Sequence, residues 1–278
     1  MSDPVLRVLS LGAGVQSTTL ALMAAHGEIG PMPDCAIMGD TGWEPAAVYD
    51  HLRWLMSGNV LPFPVHIVSA GNIRDDLVAR SNGEGGRFIT VPFFLKHANG
   101  KHGISRRQCS NHYKIEPVRK KVRELLGKGP RDRIAPGAVE KWIGISTDEI
   151  IRATPSRVRF EVNRHPLIEK RMSRQDCLAW LKRNGYPPPP KSSCIGCPFH
   201  SNSMWRDMRD NDVGAWADAV EIDRIIRNPV DRPGVPKMRG SQFMHAQRIP
   251  LSDVDLSTAE DRGQLNMFNH ECEGMCGV

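Results

Sequence analysis

The opening of the chain sets the strongest constraint on its fold. Residues 5–9 form a short apolar run, a glycine-rich turn with hydroxyl side chains follows, and an apolar-periodic segment comes after it. The pattern predicts a buried strand, a glycine turn and a helix. That order is a physical device for anions. Glycines let the backbone approach a phosphate closely, and the first N–H groups of the helix point at it. Ser17, Thr18 and Thr19 sit where the helix should begin, placed to cap it and to donate to phosphate oxygens. No Gly-Lys-Ser/Thr closes the turn, so it is not a Walker A loop, and it does not match G-x-G-x-x-G.

The alternation continues. Residues 35–40 read as a second strand ending in Asp40-Thr41-Gly42, residues 46–56 as a helix, and residues 64–68 as a third strand. A further strand is expected at residues 140–145, and a helix at 173–181 with Ser173 as its N-cap. Strand–helix–strand alternation predicts a doubly wound α/β sheet, whose ligands bind beyond the carboxyl ends of the strands. Both the first loop and Asp40-Thr41-Gly42 occupy that position, although Asp and Gly also suit a plain turn. Residues 81–86 and 93–103 read as loops, the second carrying Lys96, His97, Lys101 and His102 and placed to cover a substrate. The segment 204–227, with Trp205 and Trp216, reads as a helical lobe.

At 278 residues, 40% hydrophobic and 24% charged, the chain can bury a full core. No apolar run reaches membrane-spanning length, and the N-terminus lacks the basic-then-apolar pattern of a signal peptide, so a cytoplasmic protein without membrane partners is expected. The net charge of +6 suits a polyanionic partner such as nucleic acid, and equally a nucleotide.

Seven cysteines, with two close pairs at Cys194/Cys197 and Cys272/Cys276, argue for metal or redox chemistry over a disulfide framework. Cys177 and Trp180 fall on the apolar side of the 173–181 helix and read as core. The stiff run at residues 187–190 delivers the chain to Cys194-Ile195-Gly196-Cys197-Pro198. Two thiolates at this spacing suit a zinc site or an iron–sulfur loop, or form a redox dithiol. Zinc would need two more ligands, for which His200, His112, Cys109 and Cys272 are candidates.

Gly12-Ala13-Gly14-Val15-Gln16-Ser17 resembles the pyrophosphate loop, S-G-G-x-D-S, of the PP-loop ATP pyrophosphatases and the related phosphoadenosine-phosphosulfate (PAPS) reductases. Gly12 stands for the first Ser and Gln16 for the Asp. Cys109-Ser110-Asn111-His112-Tyr113-Lys114-Ile115-Glu116-Pro117 is similar to the C-C-x-x-x-K-x-x-P block of iron–sulfur reductases, with one cysteine in place of two. Gly144-Ile145-Ser146-Thr147-Asp148-Glu149-Ile150-Ile151-Arg152 is similar to their substrate-contacting G-I-R-x-x-E-S-x-x-R, and Glu271-Cys272 to their C-terminal Glu-Cys-Gly.

The resemblance implies a HUP-type, Rossmann-like parallel sheet with an appended helical C-terminal lobe. A PP-loop nucleotide-binding domain would span residues 1–185, and a cysteine-containing lobe with a mobile tail residues 186–278. It implies a nucleotide site of Ser10, Gly12, Ala13, Gly14, Gln16, Ser17, Thr18, Asp40, Thr41, Gly42 and Gly144, with Asp40 on Mg²⁺, ribose or adenine. Lys114 and Arg152 would act on substrate, Arg152 as a fork for phosphate or sulfate. Cys109, Cys194, Cys197 and Cys272 would hold a 4Fe–4S cluster, with zinc as the alternative. Cys272 is also placed as a nucleophile with Cys276 as its resolving partner.

The activity implied is ATP-dependent adenylation of a substrate followed by sulfur insertion. A nucleic acid, tRNA or DNA, would be the acceptor, and a cysteine desulfurase or thioredoxin-like protein the donor. The alternatives are a reductase that releases sulfite from PAPS or adenylyl sulfate, and a non-catalytic nucleotide-binding accessory protein.

Overall fold

The computed structural model describes residues 4–82, 90–227, 240–258 and 261–263. Its centre is a five-stranded parallel sheet of β1 (Leu6–Ser10), β2 (Cys35–Asp40), β3 (Val65–Ser69), β6 (Val139–Ile143) and β7 (Glu161–Arg164), in the spatial order β3-β2-β1-β6-β7. Strand β1 therefore pairs on one side with the next strand in the chain and on the other with a distant one. This reversal opens a crevice at the carboxyl ends of β1 and β6.

Helices cover the sheet unequally. Helix α1 (Val15–Ala25) packs against the short α5 (Pro166–Glu169) and against α6 (Arg174–Arg183). With α2 (Ala46–Leu55) they build the largest apolar cluster, around Leu9, Leu20, Leu52, Trp142 and Trp180. Cys177 is fully buried there, as its helical spacing predicts. Ser173 caps α6 in a reciprocal box with Asp176. The other face carries a smaller cluster of Val8, Cys35, Ile37, Val122 and Val139 under α4 (Glu116–Leu125), which packs on β2 and β3.

A third cluster lies beyond the carboxyl ends of the strands. It joins α3 (Ile73–Asn82), α7 (Asn202–Asn211) and α8 (Val213–Arg227) to Trp43, Phe93, Tyr113 and Trp205. The expected helical lobe is thus present as two helices, and its core is shared with residues far upstream. Asp218 of α8 accepts from Trp43 Nε1 at 2.6 Å and from Arg74 Nε at 2.5 Å.

Two expectations need correction. Residues 93–103 are not simply a loop. They contain β4 (Phe94–Lys96) and lead into β5 (His102–Ile104), which form a small antiparallel sheet with β8 (Ser241–Phe243) in the order β5-β4-β8. Three-residue strands are too short for alternation to mark them. Helix α1 begins earlier than the hydroxyl run suggests, with Gly14 as an N-cap that makes no side-chain bond. Thr18 and Thr19 consequently lie inside the helix, turned toward the core. Thr18 Oγ1 bonds His51 Nε2 at 2.9 Å, and Thr19 Oγ1 donates to the Val15 carbonyl at 2.8 Å.

Candidate functional site

A cleft of about 520 Å³ opens at the switch point, within the size range of small-molecule sites. Ser10, Gly12, Gly14, Gln16, Ser17 and Gly144 line it. The loop at its rim is tied internally. Gly12 N–H donates to Ser17 Oγ at 3.2 Å, and Ser17 Oγ lies 3.3 Å from the Gly14 carbonyl. Ala13 is buried behind the loop with φ 54°, a left-handed conformation that costs an L-residue roughly 1–2 kcal/mol. Gly144 has a different role from the substrate approach expected of it. A Cβ there would stand 2.8 Å from Ser17 N and 2.9 Å from its Cα, so the glycine admits the first turn of α1.

Gln16, the residue in the acidic place of the loop motif, is held from three sides. Its Nε2 donates to Glu149 Oε2 at 3.3 Å and to Ser146 Oγ at 3.4 Å, and its Oε1 accepts from Arg174 Nη1 at 3.1 Å. Glu149 is buried and accepts from Arg152 Nη1 at 2.6 Å. Its carboxylate thus stands beside the neutral Gln16, and Arg152 and Arg174 both face the cleft. Lys114, Lys191, Lys141, Arg119 and Arg157 add positive charge to the same walls, against the acids Glu149 and Glu161. A multiply charged anion fits that balance.

Asp40, Thr41 and Gly42 do not line this cleft. Asp40 Oδ1 accepts from Gly42 N–H at 2.8 Å and from the Tyr49 hydroxyl at 2.9 Å, closing the turn after β2. Burial and that bond push the Tyr49 hydroxyl well above its ordinary range. Gly42, at φ 70°, supplies the left-handed residue of the turn. Thr41 belongs to a second pocket nearby.

That second pocket is small, about 50 Å³, and is lined by Cys109, Cys194 and Cys197 together with Thr41, Trp43 and Lys114. The three far-separated thiols do converge. Cys109 leads into a π-helical turn (Ser110–Ile115) that precedes α4. That turn presses on β2 where a side chain would not fit. A Cβ on Gly39 would stand 2.7 Å from Lys114 Cα. The other two thiols sit on the 194–197 loop, which packs on Trp43. A Cβ on Gly196 would fall 2.0 Å from the indole ring, so only glycine fits. Trp43 O accepts from Ile195 N–H at 2.8 Å.

Cys194 Sγ lies 3.2 Å from Thr41 Oγ1 and 3.5 Å from Glu44 Oε1. Burial, reinforced by the Glu44 carboxylate, holds this thiol far above its ordinary value when nothing is bound. Glu44 is buried. Its Oε1 faces Lys114 Nζ at 3.0 Å, and its Oε2 has no hydrogen-bond partner. Glu44 had no assigned role from sequence. Its one legible signal is its place two residues after Asp40-Thr41-Gly42, at the carboxyl end of β2. By contrast Cys35 and Cys177 are core thiols, pushed up to about 11 and about 12 by burial.

The two pockets adjoin. Lys114 lines both. Ser192 lines the first and Ser193 the second, on the strand of chain entering Cys194. A Cβ on Gly14 would stand 2.8 Å from Ser192 Oγ, so the glycine loop and the cysteine segment touch.

Among the described residues, no three His, Cys, Asp or Glu side chains gather closely enough to hold a single metal ion. The histidines considered for zinc are engaged elsewhere. His200 Nε2 bonds Ser193 Oγ at 2.9 Å, and burial pushes its imidazole down to about 3. His112 Nδ1 faces Glu116 at 3.4 Å. An iron–sulfur cluster differs in taking its thiolates on separate iron atoms. Cysteine thiolates serve either group. Cys272 and Cys276 lie outside the described residues.

No family model matches the sequence, and no curated protein matches it. Solved structures of similar shape include a PAPS reductase from Candida auris in a phosphate complex. It is 13% identical, with a TM-score of 0.43, over 68% of this chain and 76% of its own. Another is the U34-tRNA thiolase NcsA from Methanococcus maripaludis with its 4Fe–4S cluster. It is 12% identical, with a TM-score of 0.38, over 84% of this chain and 79% of its own. The fold itself stands on the strand order given above.

Proposed function

We propose that the chain is an ATP-using, PP-loop-type sulfur-transfer enzyme. One observation carries this reading: the phosphate-type loop and a three-thiol pocket share a wall, formed by Lys114 and the 192–194 segment. ATP phosphates would lie at Gly12–Ser17 against the first turn of α1, with Arg152, Arg174 and Lys191 around them. Glu149 would contribute the carboxylate that the loop itself lacks, toward the phosphates and their Mg²⁺. Binding there aligns the α-phosphate for attack by a substrate oxygen. The P–O bond to pyrophosphate breaks, and the cationic wall stabilises the charge on the departing group. The oxygen then leaves as AMP when sulfur displaces it.

Cys109, Cys194 and Cys197 would hold a 4Fe–4S cluster, with Cys272 as a candidate fourth ligand or nucleophile and Cys276 as its partner. When bound, such a cluster supplies an iron able to hold sulfide next to the activated carbon. Lys114 stays in contact with both pockets, neutralising Glu44 and facing the phosphates. The net positive charge suits tRNA or DNA as the acceptor, and a cysteine desulfurase or thioredoxin-like protein as the donor.

The test uses protein purified without oxygen, incubated with ATP and separately with PAPS. Pyrophosphate formed from ATP in the presence of acceptor is expected. Sulfite from PAPS would instead identify a reductase, and binding without either product an accessory protein. Brown colour with iron and acid-labile sulfide bound per chain is expected, and zinc in their place would overturn the cluster assignment.

A further inference from the structure

The cleft has a wall that the phosphates do not explain. Strand β7 presents alternate residues to it, Glu161 and Asn163, and the row continues to His165 just past the strand. Each of the three holds a fully buried polar atom with no hydrogen-bond partner: Glu161 Oε2, Asn163 Oδ1 and His165 Nε2. Buried polar atoms are nearly always satisfied, so three orphans in one row on one cleft wall point to a missing partner.

The row has a definite polarity. Glu161 Oε1 accepts from Arg119 Nε at 3.4 Å, while Oε2 faces Lys141 Nζ at 3.5 Å without a hydrogen bond. Asn163 Nδ2 donates to the Thr154 carbonyl at 2.9 Å. That carbonyl needs a donor, which fixes the amide orientation and leaves Oδ1 without one. Two acceptors adjoin here, the carboxylate among them already offset by Arg119 and Lys141. Both acceptors call for a group that donates hydrogen bonds.

We infer that the Glu161–Asn163–His165 row is a recognition subsite for the N–H and O–H donors of a nucleoside, in the same cleft as the phosphate loop. This deepens the proposed function and rests on it for the placement of the phosphates. The donors have two sources, an exocyclic amine of the base or a sugar hydroxyl. A site whose buried acceptors must be filled rejects analogues lacking the donor, at about 1–3 kcal/mol per unsatisfied group.

Calorimetric titration of the purified full-length chain distinguishes the cases. The ligands are inorganic tripolyphosphate, ATP, purine riboside triphosphate (no 6-amino group) and dATP (no 2′-hydroxyl). We expect ATP to bind about tenfold or more tighter than one of the two analogues, which names the donor. Glu161→Gln, which turns an acceptor into a donor, and Asn163→Leu should each shrink that preference to less than about threefold. Neither should weaken tripolyphosphate binding, while Glu161→Gln, which leaves Arg119 and Lys141 without their carboxylate, should lower thermal stability. Equal binding of all three nucleotides would overturn the subsite and leave the phosphate reading standing. So would a preference that both variants retain, or variants that lose tripolyphosphate as well. Failure of tripolyphosphate and every nucleotide to bind would overturn both.

Discussion

Lys114 Nζ lies 3.0 Å from Glu44 Oε1, and Lys114 lines both the loop cleft and the thiol pocket. The Glu44 side chain is 1% exposed, so its charge depends on that partner. Removing Lys114 alone leaves a buried, uncompensated carboxylate, which costs about 3–5 kcal/mol. Lys114→Met should therefore lower stability strongly in urea unfolding, and Lys114→Met with Glu44→Gln should recover much of the loss. A double variant no more stable than the single one would show that the pair is not the cause.

Gln16 Nε2 donates to Glu149 Oε2 at 3.3 Å. Gln16→Asp would restore the acid common in the resembling loop, yet here it sets a second carboxylate against a buried one. Stability should fall by about 1–3 kcal/mol, and affinity for tripolyphosphate should drop about tenfold as negative charge enters the anion end. Thermal unfolding and calorimetry read the two effects. Unchanged affinity would place the phosphates elsewhere.

Gly196 fits where a Cβ would stand 2.0 Å from Trp43. Gly196→Ala must move either the indole or the cysteine loop, at about 1–3 kcal/mol. The expected outcome is a folded protein with lowered melting temperature and reduced iron retention. Gly30→Ala, at a glycine with nothing within 4 Å, serves as the control.

Stability should fall as pH drops from 7 to 5.5. Burial lowers the imidazoles of His51, His165 and His245 below their ordinary value near 6.5. On acidification the unfolded chain takes up protons that the native state refuses, so the unfolded state gains. The carboxylates held low, Asp176, Asp255 and Asp261, lose their contribution only in more acid solution. Urea midpoints at the two pH values decide the matter; a flat profile would contradict the assignment.

Much of the frame was readable from local pattern. The apolar run, glycine turn and helix at the N-terminus, and the strand ending in Asp40, are marked by periodicity that tertiary context does not alter. The convergence of Cys109 with Cys194 and Cys197 was also legible, through their resemblance to a spaced motif. The hydroxyls after Gly14 misled, because the helix starts at Val15 and rotates Thr18 onto His51. Asp40 also has a local task in the turn, its Oδ1 accepting from Gly42 and Tyr49. Glu44, Arg174 and the β7 row could not be read, because their meaning lies in neighbours more than a hundred residues away or in partners they lack. The small sheet of β4, β5 and β8 was hidden by the brevity of its strands.

That small sheet has a consequence for how the molecule is made. Phe94 pairs with Phe243, so a strand from the first half of the chain waits for one near the end. On the ribosome the parallel sheet and its phosphate loop have all their parts by the time α6 emerges. The third cluster, against which Cys109 packs, does not, because α7, α8 and β8 come later in the chain. The thiol pocket is thus closed on a chain whose parallel sheet already has all its strands.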